Sequence, residues 1–369
     1  MKRFLVWTML FVLLLNGCAV MPGTTGIQVE TYPTVEDIFT QPPTAAVTDP
    51  TTATQPGTEA TEPTNPPPME LGGMSFGPTS PSERDEKGRY RVYEGGQMYL
   101  PFSIESSGLM STYDVGVLLF VDGIAQPYRV SPDGEYAYMH TISQNDGKEV
   151  VGATTTIVDI YFVPITGEKG DMLEIYALCM LEPDHLPSQG INGHALTSGA
   201  VSSGFRLKYN ATPPEDTYPE KTVKLMEVST SVADCTAQDI DKWTNTDMVE
   251  NMRYAFRANE EKMNVYGVGE DDCITLRYEV WGTPYVHYGL VFFVDNEPVY
   301  AADLADIRVS VEMGRKTIIE ATLDMTGFSG ESSLYAVLVP RNYRTSEIPT
   351  YTFIEASQTI FLLAKEKGV

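Results

Sequence analysis

Gly116-Val117-Leu118-Leu119-Phe120-Val121-Asp122 and Gly289-Leu290-Val291-Phe292-Phe293-Val294-Asp295 are one strand written twice, 173 positions apart. The run from Val115 to Val121 is apolar throughout, as a strand covered on both faces is. Asp122-Gly123 and Asp295-Asn296 follow. Both pairs tolerate positive φ, which a tight hairpin requires.

Working outward, Val92-Tyr93 and Val265-Tyr266 fall at the same spacing. Ile175-Tyr176-Ala177-Leu178 matches Leu334-Tyr335-Ala336-Val337, Pro183 matches Pro340, and Phe205 matches Phe361. Val158, Ile160 and Phe162 correspond to Ile319, Ala321 and Leu323. Met98, Leu100, Phe102 and Ile104 alternate as Ile274, Leu276, Tyr278 and Val280 do, with a small compensating gap between the two sets. Period-2 alternation with β-branched and aromatic residues predicts strands with one buried face. Pro101 inside such a strand predicts an edge or a bulge. The sequence therefore predicts an all-β chain of two related domains, at residues 84–211 and 222–369. The Pro-rich connector 212–221 is expected to hold them apart without wide excursions.

Several short strands and turn signals in each copy fit a β-sandwich. Gly170-Asp171, then Leu173, then Ile175-Tyr176-Ala177-Leu178 is a turn feeding a strand with a Tyr. It resembles the penultimate strand of immunoglobulin-like domains. The resemblance covers both copies and implies two tandem Ig-like sandwiches. The usual inter-sheet Cys pair and strand-C Trp are missing, so a divergent bacterial Ig-like or fibronectin-III-like form is expected.

The copies are unequal. The second carries an extra segment, 232–262, with Trp243, Tyr254 and Phe256. Met248, Met252 and Phe256 recur every four residues, and Asp247 with Glu250 has the spacing of a capping box, so a helix is expected there. Trp243, Tyr254 and Phe256 are candidate binding residues, because Trp and Tyr are enriched at binding hot spots. The competing reading packs them onto the sandwich.

At the other end, Lys2 and Arg3 precede a near-apolar run, Phe4 to Leu15, too short to span a bilayer. Leu15-Asn16-Gly17-Cys18 follows. It resembles a lipobox, which implies a signal peptide at 1–17 and a lipidated Cys18. Residues 21–70 hold 13 Thr and 10 Pro, and Lys and Arg are absent from Phe4 to Glu83. Such a composition buries too little apolar surface to offset ordering entropy, so 18–83 is expected to be a disordered stalk. At roughly 3.1 Å per residue it reaches about 200 Å when fully extended. An anchor followed by such a stalk resembles the wall-spanning tethers of Gram-positive surface lipoproteins. It implies an extracytoplasmic chain held at the cell membrane.

Net charge is −25 and the pI about 4.4, which makes nucleic acid and anionic lipid poor partners. With Cys18 lipidated, Cys179, Cys235 and Cys273 remain. Cys179 aligns with Leu338 and reads as a small buried hydrophobe. Cys235 and Cys273 are a candidate disulfide that would staple the extra segment, with two free thiols as the alternative.

Glu270-Asp271-Asp272 is a weak calcium candidate, since carboxylate oxygens suit a hard cation. A solvated acidic turn is the competing reading. His140, His185, His194 and His287 follow no metal or catalytic spacing. Gly73-Met74-Ser75-Phe76-Gly77 has the G-x-S-x-G form but lacks the strand-then-helix setting of a nucleophile elbow. The expected function is non-enzymatic and cofactor-free: structural, adhesive or display work at the surface, with wall or host glycans or proteins as partners. Glycan binding is the alternative, on 21 Tyr, and a hydrolase is third.

Overall fold

The computed structural model describes residues 72–79, 91–144, 153–184, 186, 201–214, 224–236, 239, 253–259, 265–269, 273–282, 287–301, 307–312, 314–326, 328–341, 354–357 and 359–364. Apart from one 3-10 turn at Gly108–Thr112, the regular elements among them are strands. The chain is all-β, and each copy is a sandwich of two layers.

In the first copy the outer sheet is antiparallel, ordered β1 (Met74–Pro78), β3 (Met98–Ser107), β7 (Ala153–Phe162). The inner sheet runs β2 (Arg91–Tyr93), β9 (Val201–Tyr209), β8 (Met172–Leu181), β4 (Val115–Val121), β5 (Ile124–Gln126), with β6 (Thr141–Ile142) at one end of β4. The second copy repeats the plan. Its inner layer runs β12 (Val265–Val268), β20 (Ile360–Ala364), β18 (Glu331–Arg341), β14 (His287–Val294), β15 (Glu297–Ala301). Two short strands, β16 (Ile307–Ser310) and β19 (Glu355–Ala356), flank it. Its outer layer is β11 (Arg253–Ala258), β13 (Cys273–Trp281), β17 (Arg315–Asp324) and β10 (Lys224–Asp234), and a two-rung parallel pairing of β10 with β15 joins the layers into one continuous sheet.

The register confirms the repeat rung by rung. Val117 pairs with Cys179 and Val121 with Ile175; Leu290 pairs with Leu338 and Val294 with Leu334. Cys179 thus lies where Leu338 lies, and burial pushes its thiol up to about 12. The two hairpins also correspond, with φ of 49° and 79° at Asp122-Gly123 and 49° and 65° at Asp295-Asn296. Two left-handed residues make a type I′ turn, whose twist matches that of the flanking strands.

Alternation along these strands separates two cores. Val117, Leu119 and Val121 face the core of the first sandwich; Leu290, Phe292 and Val294 face that of the second. The intervening residues, Leu118 and Phe120 on β4 and Val291 and Phe293 on β14, meet in a third cluster with Tyr176, Leu178, Tyr335 and Val337. Phe120 and Phe293 are equivalents, and their rings meet edge to face at 6.1 Å. The two inner sheets therefore face each other through matching residues, as the halves of an isologous dimer do.

The hairpins lock this seam. Asp122 receives the Arg341 guanidinium at 2.7 Å, and an added Cβ on Gly289 would fall 2.5 Å from the Gly123 carbonyl oxygen. On the other side Asn296 donates to the Pro183 carbonyl at 3.0 Å. The expectation of two sandwiches held apart by the connector is corrected: the apolar outer faces of β4, β8, β14 and β18 cover one another.

Three further expectations change. Strand β1 lies within the segment assigned to the stalk; its Phe76 stacks on Phe102 at 4.8 Å, so Met74–Pro78 belongs to the sandwich. Pro101 is in the central strand of its sheet, without a bulge. Its nitrogen faces the β1 side, where its carbonyl accepts from the Thr79 N–H at 2.9 Å just past the last rung at Pro78, so only the return bond at the very end of that ladder is lost. Residues 253–258 form β11 rather than a helix. Tyr254 and Phe256 alternate toward the core, and pairing with β13 satisfies the backbone, which outweighs the four-residue spacing.

Candidate functional site

Of the sequence-predicted site residues, Cys18, Trp243, Glu270, Asp271 and Asp272 lie outside the described residues, as do Asp247, Met248, Glu250 and Met252. Tyr254 and Phe256 are described, and both are packing residues. Tyr254 stacks on Tyr278 at 5.8 Å and donates its hydroxyl to the Ala356 carbonyl at 2.9 Å. Phe256 lies against Tyr278 and Phe292. The reading of these two as binding residues gives way to the packing one, because β11 turns them onto the second core, where they are partly buried.

Cys235 and Cys273 are free thiols. Cys235 follows the rung Asp234–Arg315, whereas Cys273 pairs with Asp324. Those rungs stand at opposite ends of β17, about 30 Å apart at the usual rise per residue. A disulfide needs Cα atoms within about 7 Å, so the candidate bridge is not formed. Cys273 lies 3.7 Å from the Met226 sulfur instead.

His140 and His287 have structural partners. The ring Nε2 of His140 bonds the Tyr128 carbonyl at 2.9 Å. His287 bonds Ser310 at 2.9 Å across a β14–β16 rung. Ser75 sits within β1, in a straight strand rather than a strained elbow.

With the inner faces covered, the outer sheets carry the exposed chemistry. On the first, the cross-strand pair Tyr99 and Tyr161 stacks at 4.9 Å with 27° between planes. Tyr99 is 40 % exposed and donates to Asp159 at 2.8 Å, a bond that holds its phenol above the ordinary value. Arg129 pairs with Tyr161 through the backbone, and its guanidinium lies 3.8 Å from the centre of the Tyr136 ring. The Arg129 Nε is buried and has no hydrogen-bond partner among the described residues. Two aromatic surfaces, a carboxylate and a guanidinium thus share one face.

The second outer sheet carries an ion-pair row instead. Arg277 joins Glu320 at 2.5 Å and Glu279 at 2.7 Å. Lys316 joins Glu279 at 2.9 Å and Asp239 at 3.0 Å, and Trp281 donates to the Asp239 carbonyl at 2.8 Å. Burial alone would push the Glu279 carboxyl up; hydrogen bonds from Lys316 and Arg277 outweigh it and hold it below the usual range. Asp239 is lowered in the same way: burial opposes, and Thr236 and Lys316 prevail. Burial likewise opposes the Lys316 charge, and Glu279 and Asp239 hold it above its ordinary value. Nothing in the sequence spacing flagged this row, because its members come from β13, β17 and the loop after β10.

Comparison with known proteins adds little to this picture. No family model matches the chain, and no curated protein does. Solved structures that align include the C-terminal domain of the Streptococcus agalactiae AgI/II polypeptide BspA, at 11 % identity and TM-score 0.20, covering 79 % of this chain and 99 % of that one. The C-terminal domain of the Streptococcus pyogenes antigen I/II-family protein AspA aligns at 10 % and 0.19, covering 80 % and 100 %. The Clostridium thermocellum CbhA fibronectin(III)-like modules align at 8 % and 0.17, covering 79 % and 95 %.

Proposed function

We propose that this chain is an extracytoplasmic lipoprotein, held at the cell membrane through Cys18 and raised on its Thr/Pro stalk, with a structural or adhesive role at the surface. The observation that carries the reading is the apolar seam between the sandwiches. Relative motion is the default for tandem domains unless their interface is large and hydrophobic. Here Phe120, Phe293, Tyr176 and Tyr335 fill it, so the repeats act as one head that presents its two outer sheets. A stiff head on an extended tether suits display.

Fractionation and adhesion assays on whole cells test the reading. Cys18→Ala is expected to shift the chain to the medium, or leave its leader uncleaved, and to abolish adhesion while the head stays folded. Unchanged processing and membrane association would remove the anchor. Adhesion that survives deletion of the whole chain would remove the adhesive role.

The exposed Tyr99–Tyr161 pair beside Asp159 and Arg129 supports a second reading, glycan binding, since sugar rings stack on aromatic faces and bond to such polar groups. A glycan array probed with the wild-type head and with Tyr99→Ala decides it: binding lost in the variant supports a sugar site, and no binding by the wild type ends it.

A further inference from the structure

The two outer sheets differ at one edge. In the second copy β10 pairs with β17 along its length: Ala233 opposes Lys316, Ser231 opposes Ile318 and Ser229 opposes Glu320. The β3–β7 and β13–β17 registers make Thr155, Ile157 and Asp159 the equivalents of Lys316, Ile318 and Glu320. Among the described residues, β7 has no strand on that side. Isoleucine stands at the same place in both copies, 8 % exposed under β10 and 53 % exposed on β7.

The backbone of this edge is oriented outward. Tyr161 exchanges both its bonds with Arg129, on the side away from β3. Alternation along a strand then points the N–H and C=O groups of Asp159, Ile157 and Thr155 the same way. Natural edges are usually guarded by Lys, Pro, bulges or short length. Here Ala153 to Ile160 carries one charge, Asp159, and neither Pro nor Gly. It pairs with β3 over ten unbroken rungs. Two other exposed apolar side chains flank it: Val130, 42 % exposed, follows Arg129, and Tyr99 stacks on Tyr161.

We propose that the open edge of β7 pairs antiparallel with the same edge of a second copy of this chain, about a two-fold axis at Ile157. The register is self-complementary. Ile157 meets Ile157, so each covers the other's exposed side chain. Thr155 faces the partner's Asp159 on both sides of the axis, placing a hydroxyl donor against a carboxylate. The pairing satisfies the outward N–H and C=O groups of three residues on each strand, between the end of β7 and the Arg129 rung. It joins two outer sheets into one, a closed isologous contact that stops at a dimer. Anchoring many copies in one membrane would raise their effective concentration and favour so short an edge.

Sedimentation equilibrium on the Cys18→Ala chain tests the proposal. A reversible monomer–dimer equilibrium is expected, and Ile157→Lys, a change at an exposed position, should weaken it at least tenfold with an unchanged circular dichroism spectrum and melting temperature. Ile157→Cys in a Cys235→Ser/Cys273→Ser background should give a dimer with a short bis-maleimide, since a residue on the axis meets itself. A monomer at the highest soluble concentration overturns the proposal. So does a dimer indifferent to Ile157→Lys, which would use another surface, or growth beyond dimers, which would signal a head-to-tail contact. None of these outcomes bears on the anchor or on display.

Discussion

The two copies share a strand plan and differ in what their outer sheets carry. Among the described residues the first ends in an open β-branched edge and a Tyr pair; the second has β10 on that edge and an ion-pair row across its face. Their inner sheets, by contrast, meet as near equals. One framework, used twice, stayed symmetric where each copy covers the other and diverged where neither does. A change on the seam must suit both copies, whereas an outer sheet answers to its own partners alone.

The largest effect should come from breaking the symmetric part. Phe120→Ala and Phe293→Ala each remove a fully buried ring at equivalent points of one seam. Each is expected to cost about 3–5 kcal/mol, and the two costs should be similar. The double variant should lose less than their sum, because the rings touch. Urea denaturation measures all three. A large inequality, or strict additivity, would mean that the two rings do not share one contact. Loss of the seam should also split unfolding into two transitions, one per sandwich.

A smaller effect sharpens the comparison where equivalents part company. Gly116 and Gly289 occupy the same position in their copies. A Cβ on Gly289 meets the Gly123 backbone at 2.5 Å; one on Gly116 meets the Met139 sulfur at 2.5 Å and the Pro183 ring at 2.8 Å. Backbone cannot move aside without opening the seam, while at Gly116 a methionine end can swing away and leave only the Pro183 ring to shift by a few tenths of an ångström. Gly289→Ala should cost about 2–3 kcal/mol and Gly116→Ala nearer 1 kcal/mol, within the usual range for overpacking. Thermal melts of the pair give the answer. Equal losses would mean that the hairpin of the first copy does not press on β14.

Much of the shared framework was legible in the sequence. Period-2 patterns located the strands, and Asp122-Gly123 and Asp295-Asn296 located the hairpins. The doubly apolar run Val115 to Val121 announced that both faces were covered. What covered the second face was not legible, because an alternating pattern records burial and not its source. The matched pairs Phe120/Phe293 and Tyr176/Tyr335, large and apolar in both copies on the face turned from each core, were the signal that the copies meet. Tyr254 and Phe256 misled for a related reason: an aromatic outside the repeat reads as available until the strand holding it is paired. The ion-pair row could not be foreseen, since Asp239, Glu279 and Lys316 meet only after β13 and β17 align.

The smallest effect tests whether that row is peculiar to the second copy. Lys316 is the equivalent of Thr155. Its ammonium lies between Glu279 and Asp239, and all three side chains are under 15 % exposed. Lys316→Met should cost about 1.5 kcal/mol near neutral pH, the low end of the range for hydrogen bonds to charged groups. Thr155→Met, on an exposed edge, should cost almost nothing. The pH dependence separates lost charge from lost packing. The carboxyls of Glu279 and Asp239 are held low in the folded chain. Their contribution is complete above the unfolded values of about 4 and is lost as pH falls through the lower folded ones. Lys316 is held high, so its contribution is complete below the unfolded value of about 10.4 and is lost as pH rises through the folded one. The difference between wild type and Lys316→Met should therefore be flat from about pH 5 to 9 and shrink on either side. Calorimetric melting temperatures of the three chains across pH would show it. A difference unchanged down to pH 3 would make Lys316 a packing residue, and the ion-pair row would no longer distinguish the two outer sheets.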